Sequence, residues 1–299
     1  MNPSAILLYF DEEHAAASRL ADASGLAFAK VERHRFPDGE IKLRLPDTLP
    51  ERVVVLRTLD HPNEKLVELL LTARTARALG ARHLTLVAPY LAYMRQDIAF
   101  RPGEAVSQRI VGRFLADLFD AVITVDPHLH RVATLAEAVP ALQAIVLSGA
   151  PLLADLVARR RPGALLMGPD GESAQWIAQA AARHGFDHAM CTKVRHGDHA
   201  VEVELPPVPV AGRAVVLLDD VASTGHTVAQ AARLLLAAGA GTVDSAVTHA
   251  LLSDEALRMM RQAGVGDIWS TDTIPHPTNA VSVAHLLAQA LLNLGQADG

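Results

Sequence analysis

Short apolar runs alternate with helix-length segments along almost the whole chain, falling near residues 5–9, 52–57, 83–88, 121–125, 143–147, 164–168, 213–218, 243–248 and 267–270. A run such as Val215-Val216-Leu217-Leu218 is continuous rather than alternating, which suits a strand covered on both faces. Parallel strands need long crossover connections, and strands alternating with helices supply them. The expected fold class is therefore α/β, with mainly parallel sheets flanked by helices. The stretch 26–45 departs from the alternation and reads as a hairpin turning at Pro37-Asp38-Gly39.

With 299 residues and a prior of roughly 150 per domain, two domains are expected, divided near Ser148-Gly149-Ala150-Pro151 into 1–148 and 149–299. A weak internal repeat points the same way. Residues 52–90 and 213–251 share a strand, a loop, a long helix, a Gly-Ala stop and a second strand. The first copy has Arg57-Thr58-Leu59-Asp60-His61-Pro62 where the other has a loop of hydroxyls and glycine, so only the C-terminal copy is equipped for a phosphosugar.

That loop follows Asp219 and Asp220, which the sequence places just after a strand ending at Leu218. Ser223, Thr224, Gly225, His226 and Thr227 then precede Val228, Ala232, Leu235 and Leu236 at helical spacing. A strand-loop-helix junction of this kind lies at the carboxyl edge of a parallel sheet, where α/β proteins bind ligands, and a helix start suits phosphate. Helix capping alone needs one hydroxyl, not three with a glycine and two carboxylates.

The formal net charge of −6 argues against a nonspecific nucleic-acid or anionic-membrane surface, so an anionic ligand must meet a local basic patch. Cys191 is the only cysteine, which leaves neither a disulfide framework nor a multi-cysteine zinc site and makes a reducing cytoplasm the expected compartment. Ala5 to Phe10 runs into Asp11-Glu12-Glu13, too short and acidic for a signal peptide. No run approaches the ~18–20 apolar residues of a membrane span. There is no Walker A loop and no complete G-x-G-x-x-G.

Three other segments follow strands with polar loops, and a fourth, at 191–205, puts Lys193 and Arg195 on one face of a strand-like stretch. Arg95, Gln96, Asp97 and Arg101 lie before a helix expected near Glu104, as phosphate ligands or as a solvated loop. Asp126, His128 and His130 alternate around Pro127, and histidines two apart either ligate a metal or face solvent. Asp170, in Gly168-Pro169-Asp170-Gly171, is a helix cap or a metal carboxylate. Lys193 and Arg195 precede a turn at Gly197-Asp198 and either stabilise charge on a transferred group or line a solvated hairpin.

Taken together, "FPDGE" (36–40), "PYLAYMRQD" (89–97), "DPH" (126–128), "GPD" (168–170), "TKVR" (192–195), "LLDDVASTGHT" (217–227) and "TDTIPH" (271–276) resemble the ribose-phosphate pyrophosphokinase family in the right order over nearly the whole chain. The resemblance implies two tandem type I phosphoribosyltransferase-like domains. The first would carry ATP contacts and oligomerisation. The second would carry the ribose 5-phosphate loop, with the final helix free to pack back on the first. It implies transfer of a diphosphoryl group from ATP to the anomeric hydroxyl of ribose 5-phosphate, with Mg²⁺ as cofactor. By the same resemblance, Asp219 and Asp220 hold ribose hydroxyls directly or through Mg²⁺, and Ser223 to Thr227 cradle the 5-phosphate. His128 and Asp170 hold the Mg²⁺ of ATP; Arg95 and Gln96, with Asp97 beside them, contact the nucleotide; Lys193 and Arg195 stabilise the transition state. Phe36, Asp38 and Glu40 match an adenine-binding hairpin that reaches a neighbouring subunit, so a homo-oligomer, a dimer or larger, is expected. His226 departs from the family, which usually has a small residue there. The competing readings are a phosphoribosyltransferase, which would make pyrophosphate rather than AMP, and a non-catalytic nucleotide-binding paralogue that modulates such an enzyme.

Overall fold

The computed structural model describes residues 5–129, 131–196 and 200–297. The chain forms two compact units, Met1–Leu147 with Val283–Gly299, and Ser148–Ser282.

In the first unit, β1 (Ala5–Tyr9), α1 (His14–Ser24) and β2 (Ala27–Lys30) lead into an arm of two strands, β3 (Glu32–Arg35) and β4 (Ile41–Arg44). Then follow β5 (Arg52–Leu56), α2 (Pro62–Ala78), β6 (His83–Val87), α3 (Ser107–Ala116), β7 (Ala121–Val125), α4 (Leu135–Ala138) and β8 (Gln143–Leu147). The sheet order is β2-β1-β5-β6-β7-β8, with every pairing parallel, while β3 and β4 pair only with each other. Val53, Val55, Leu84, Leu86 and Val122 put their aliphatic side chains into a core that α2 seals with Leu69, Ala73 and Ala76. Burial on this scale, at roughly 25 cal/mol per Å² of apolar surface, is what holds the layers together.

The second unit repeats the plan. It contains α5 (Ala150–Arg160), β9 (Leu165–Gly168), α6 (Ala174–His184), β10 (His188–Met190) and a second two-stranded arm, β11 (Thr192–His196) with β12 (Ala200–Glu204). It continues through β13 (Ala214–Ala222), α7 (His226–Ala237), β14 (Thr242–Ala250), α8 (Asp254–Gln262), β15 (Val265–Thr271) and β16 (Asn279–Val281). The order β10-β9-β13-β14-β15-β16 matches the first sheet position for position, again all parallel. The repeat seen over two segments thus extends to the whole of each sheet and to an antiparallel arm at the same place in each. The last helix, α9 (Ala284–Ala297), lies with the first unit against α1. Among the described residues no helix is long and apolar enough to cross a membrane.

Three boundaries differ from expectation. Residues 26–45 are not one hairpin, since Ala27–Lys30 pairs with β1 as a parallel edge strand and only β3 and β4 form the hairpin. Helix α3 starts at Ser107 rather than near Glu104, because Glu104 turns back and its Oε2 accepts the N–H groups of Phe100 and Arg101 at 2.8 and 3.1 Å. Strand β13 runs past Leu218 to Ala222, since β14 continues to offer ladder partners, pairing Asp219 with Val247 and Val221 with His249.

Under the carboxyl edge of the first sheet lies a charge cluster that hydrophobic periodicity does not reveal. Arg57, 1% exposed, sets Nη1 at 2.7 Å from both oxygens of Glu13, donates from Nη2 to Glu68, and stacks 4.4 Å over the Phe10 ring. Burial pushes the Glu13 carboxyl up to about 7 from an ordinary 4.5, against the pull of Arg57. A carboxyl whose folded-state pKa is raised stabilises the fold fully below its unfolded value and loses that contribution as pH climbs to the folded one. Wild-type protein should therefore lose on the order of 2–3 kcal/mol relative to Glu13→Gln between about pH 4.5 and 7.5. Thermal midpoints of the two proteins across that range provide the check, and parallel curves would refute the titration.

Candidate active site

Three carboxylates of the second unit interact where β9 ends beside the continuing strand β13. Asp170 follows β9 through Pro169 and is 7% exposed, and its carbonyl accepts the Ser173 hydroxyl at 2.7 Å, which fixes the turn. Gly168 is needed there because a Cβ would stand 2.5 Å from both the Ser173 Oγ and the Met190 side chain. On β13, Asp220 is 2% exposed and Asp219 keeps a partial opening to solvent. The Asp220 N–H donates to Asp219 Oδ1 at 3.0 Å, and the Val221 N–H to Asp220 Oδ1 at 2.7 Å. Desolvation first, then the charges of Asp220 and Asp170, push the Asp219 carboxyl well above the usual carboxylate range. Like charges drawn together in this way favour hydroxyl donors or a cation in front of them.

Asp219 and Asp220 thus belong to the strand, not to the loop after it. Beyond Ala222 the chain turns through Ser223 and Thr224 to Gly225, which caps α7 with φ 71° and makes no side-chain capping bond. Ser223 and Thr224 therefore precede the cap position, while His226, which is exposed, and Thr227 form the first turn of the helix. Gly225 answers two demands at once. Its backbone is left-handed, and a Cβ would come 2.9 Å from Met260 Sδ. The N–H groups at the start of α7 are left for whatever approaches the edge.

Lys193 and Arg195 lie two residues apart in β11, opposite Val203 and Val201 of β12. Their side chains, and the turn expected at Gly197-Asp198, lie outside the described residues. Cys191, just before the arm, is buried, and burial and then Asp170 push its thiol up to about 11, which makes it inert as a nucleophile.

In the first unit the expected residues gather at the carboxyl edge of its own sheet. Arg95 is exposed and Gln96 half-buried in the loop after β6. The Gln96 carbonyl accepts the Gln108 N–H at 3.2 Å, and Gln108 Nε2 donates to the Met94 carbonyl at 3.0 Å, pinning the loop to α3. Asp97 is committed internally: Arg131 donates to it from Nη1 at 2.7 Å and from its backbone N–H at 3.1 Å. Burial would raise its pKa, but the Arg131 bonds outweigh that and hold it below the ordinary value. His128 follows β7 half-buried; its expected companion His130 lies outside the described residues. Phe36, Asp38 and Glu40 are exposed in the turn of the β3–β4 arm, where the Glu40 N–H donates to Asp38 Oδ1 at 3.1 Å.

Backbone strain and one arginine at this edge escape sequence reading. Tyr93, His61 and Asp126 have positive φ values of 64°, 49° and 36°, a conformation that non-glycine residues adopt at a cost and that clusters at functional edges. The Tyr93 hydroxyl donates to Asn63, tying the loop after β6 to the start of α2. Arg131, beyond the β7 run, announces itself only through a partner 34 positions away.

The junction at Gly225 yields a direct expectation. Gly225→Ala should destabilise the second unit by about 1–2 kcal/mol through the left-handed backbone, seen as a lower thermal midpoint, whereas Gly171→Ala, with open space around it, should change little.

Residues 5–118 match the N-terminal domain of ribose phosphate pyrophosphokinase, and residues 188–291 match the phosphoribosyl synthetase-associated domain. The ribose-phosphate pyrophosphokinase of Methanopyrus kandleri is 40% identical over 293 residues, spanning 97% of this chain and 99% of that protein. That of Methanosarcina acetivorans is 34% identical over 279 residues, spanning 93% and 96%. The crystal structure of phosphoribosylpyrophosphate synthetase from Mycobacterium smegmatis matches with a TM-score of 0.84 at 25% identity, covering 99% of this chain and 100% of that one. The likeness to these proteins thus runs from end to end through both units, and the chain belongs to the ribose-phosphate pyrophosphokinase family.

Proposed function

We propose that this chain passes the β,γ-diphosphoryl group of ATP to the anomeric hydroxyl of ribose 5-phosphate, giving 5-phosphoribosyl 1-diphosphate and AMP. The observation that carries the reading is the junction of β13 and α7. A pair of carboxylates is held rigid in a paired strand, immediately before a glycine-capped helix start whose N–H groups no capping side chain takes. Carboxylates accept from the ribose hydroxyls, and the open helix start accepts the 5-phosphate. Ser223, Thr224 and Thr227 add hydroxyl donors around that phosphate. His226, in the first turn, brings an imidazole where a small residue is usual and adds a donor rather than closing the loop, since its side chain is exposed.

Arg95 and Gln96 contact the nucleotide. Asp97 acts on it indirectly, by fixing the loop through Arg131. Phe36, Asp38 and Glu40 take the adenine of an ATP bound to a neighbouring protomer, so the active form is a homo-oligomer, a dimer or larger. Exposed Leu142 and Val146 at the edge strand β8, 84% and 47% exposed, support an interface on the first unit.

Mg²⁺ fits this donor set. The available groups are hard oxygen donors with excess negative charge, and among the described residues no cluster of three or more His, Cys, Asp or Glu is arranged to cage a metal unaided. Mg²⁺ is commonly held in this way, by one or two protein groups with water and substrate phosphates completing the shell. Asp170 would hold it with ATP, and Asp219 or Asp220 with the sugar. When bound it neutralises phosphate charge and orients the groups for in-line displacement. Lys193 and Arg195 stabilise charge on the transferring oxygens, and the arm that bears them excludes water from the acceptor. A cytoplasmic location accords with the single, buried cysteine.

The test is phosphorus NMR of the protein with ATP, Mg²⁺ and ribose 5-phosphate. AMP and a new diphosphate ester should appear together. Binding of both substrates without product would favour the regulatory paralogue, and pyrophosphate release from the activated sugar with a base would favour a phosphoribosyltransferase. Lys193→Ala should lower kcat by about 10²–10³-fold with the KM values little changed; unaltered kcat would remove Lys193 from the transition state.

A further inference from the structure

Little apolar packing holds the β3–β4 arm. It forms its own two-stranded sheet, and such a hairpin is marginal in water without further support. Its buried anchors, Val31 and Leu45, sit at its base, with Leu43 partly buried on the same core, while the rest is mostly exposed.

Charge fastens the outer part. Arg33 donates from Nη1 to Glu68 Oε1 and from Nη2 to Glu12 Oε1. Arg35 forms a bidentate pair with Glu64 at 3.0 and 2.5 Å. Glu64 and Glu68 are one helical turn apart on α2, and Arg33 and Arg35 are two apart on β3, so helix and strand periods coincide along one seam. The alternate residues turn to the other face, where the His34 and Phe36 rings meet edge to face at 4.8 Å.

The inner end of this seam is buried. Glu68 is 1% exposed, and the oxygen not used by Arg33 takes Nη2 of the equally buried Arg57, whose other nitrogen is held by Glu13. Burying such groups carries a large desolvation cost, and apolar residues of similar volume would generally stabilise the fold as well. The cluster instead supplies direction, because a carboxylate with one oxygen fixed from inside receives a guanidinium from outside in a defined orientation.

We propose that Arg57 and Glu68 are positioning residues for the nucleotide: Arg57 fixes Glu68, Glu68 fixes Arg33, and Arg33 sets the angle of the arm whose turn bears Phe36, Asp38 and Glu40. This rests on the reading that the turn takes the adenine of ATP.

Removing Arg57 would leave buried carboxylates unpaired and can prevent folding, so the test starts at the outer end of the relay, in the assembled full-length protein. Arg33→Ala should raise the KM for ATP roughly tenfold, the loss expected for charge-assisted bonds, with kcat and the KM for ribose 5-phosphate within about twofold. Arg33→Lys should recover part of the loss, and Glu68→Gln should reproduce the split more weakly. An unchanged KM for ATP in Arg33→Ala, or equal loss in kcat and both KM values, overturns the relay. Phe36→Ala separates the two layers of argument. If it raises the KM for ATP while Arg33→Ala does not, the relay fails and the adenine site stands; if Phe36→Ala also leaves that KM unchanged, the adenine reading fails and the relay with it.

Discussion

Pairing between β13 and β14 begins at Ala214 and reaches Ala222, the last of nine residues in β13, whereas its counterpart β5 spans five residues. The ligand edge of the second unit depends on that extension. A carboxylate on a free loop would swing away from its like-charged neighbours, whereas Asp219 and Asp220 stand on strand β13, with Asp219 directly opposite Val247 of β14. Their mutual repulsion, added to that of Asp170, is thereby stored as a demand for hydroxyl donors or a cation. The glycine cap follows from the same geometry, because the chain must turn within three residues from an extended strand into α7, beside Met260.

The first unit shows what the same plan becomes when its loop is closed from within. Counting from Arg52 and Arg213, Thr58 and Leu59 stand where the second copy has Asp219 and Asp220, and Lys65 stands where it has His226. Lys65 does not wait for a ligand: its ammonium donates to the Thr58 carbonyl at 2.9 Å and to Asp60 at 2.6 Å. The helix start is preceded by His61 in a left-handed conformation and opens on Pro62, which has no N–H to offer. A phosphate arriving there would have to displace an ion pair that is nearly buried. The two copies therefore divide the work by which charges each satisfies internally.

Alternation of strand and helix was enough to read the central strands of both parallel sheets, since β5, β7, β9 and the first part of β13 are aliphatic and nearly wholly buried. It failed where structure does not depend on apolar burial. Ala27-Phe28-Ala29-Lys30 is mostly exposed and owes its place to backbone pairing with β1, and the last residues of β13 include two carboxylates but are still laddered. Site residues in motifs with a fixed local order were legible, from Asp170 to Thr227. Those defined by distant partners were not: Arg57 meets Glu13 and Glu68 from 44 and 11 positions away, and no local pattern announces such a contact.

Each sheet carries one antiparallel arm at the same topological position, between its edge strand and its third strand in chain order. A short arm on a rigid sheet is a means of bringing side chains to a ligand without disturbing the core, and its accuracy depends on what fastens its base. In the first unit the base rests on Val31 and Leu45 in the apolar core, and ion pairs of Arg33, which is partly buried, and of Arg35 fasten the outer part, which fixes direction at the cost of desolvation. In the second, the base likewise rests on Cys191 and Val203 in the apolar core. Fixed direction is what the adenine site proposed for the first arm requires.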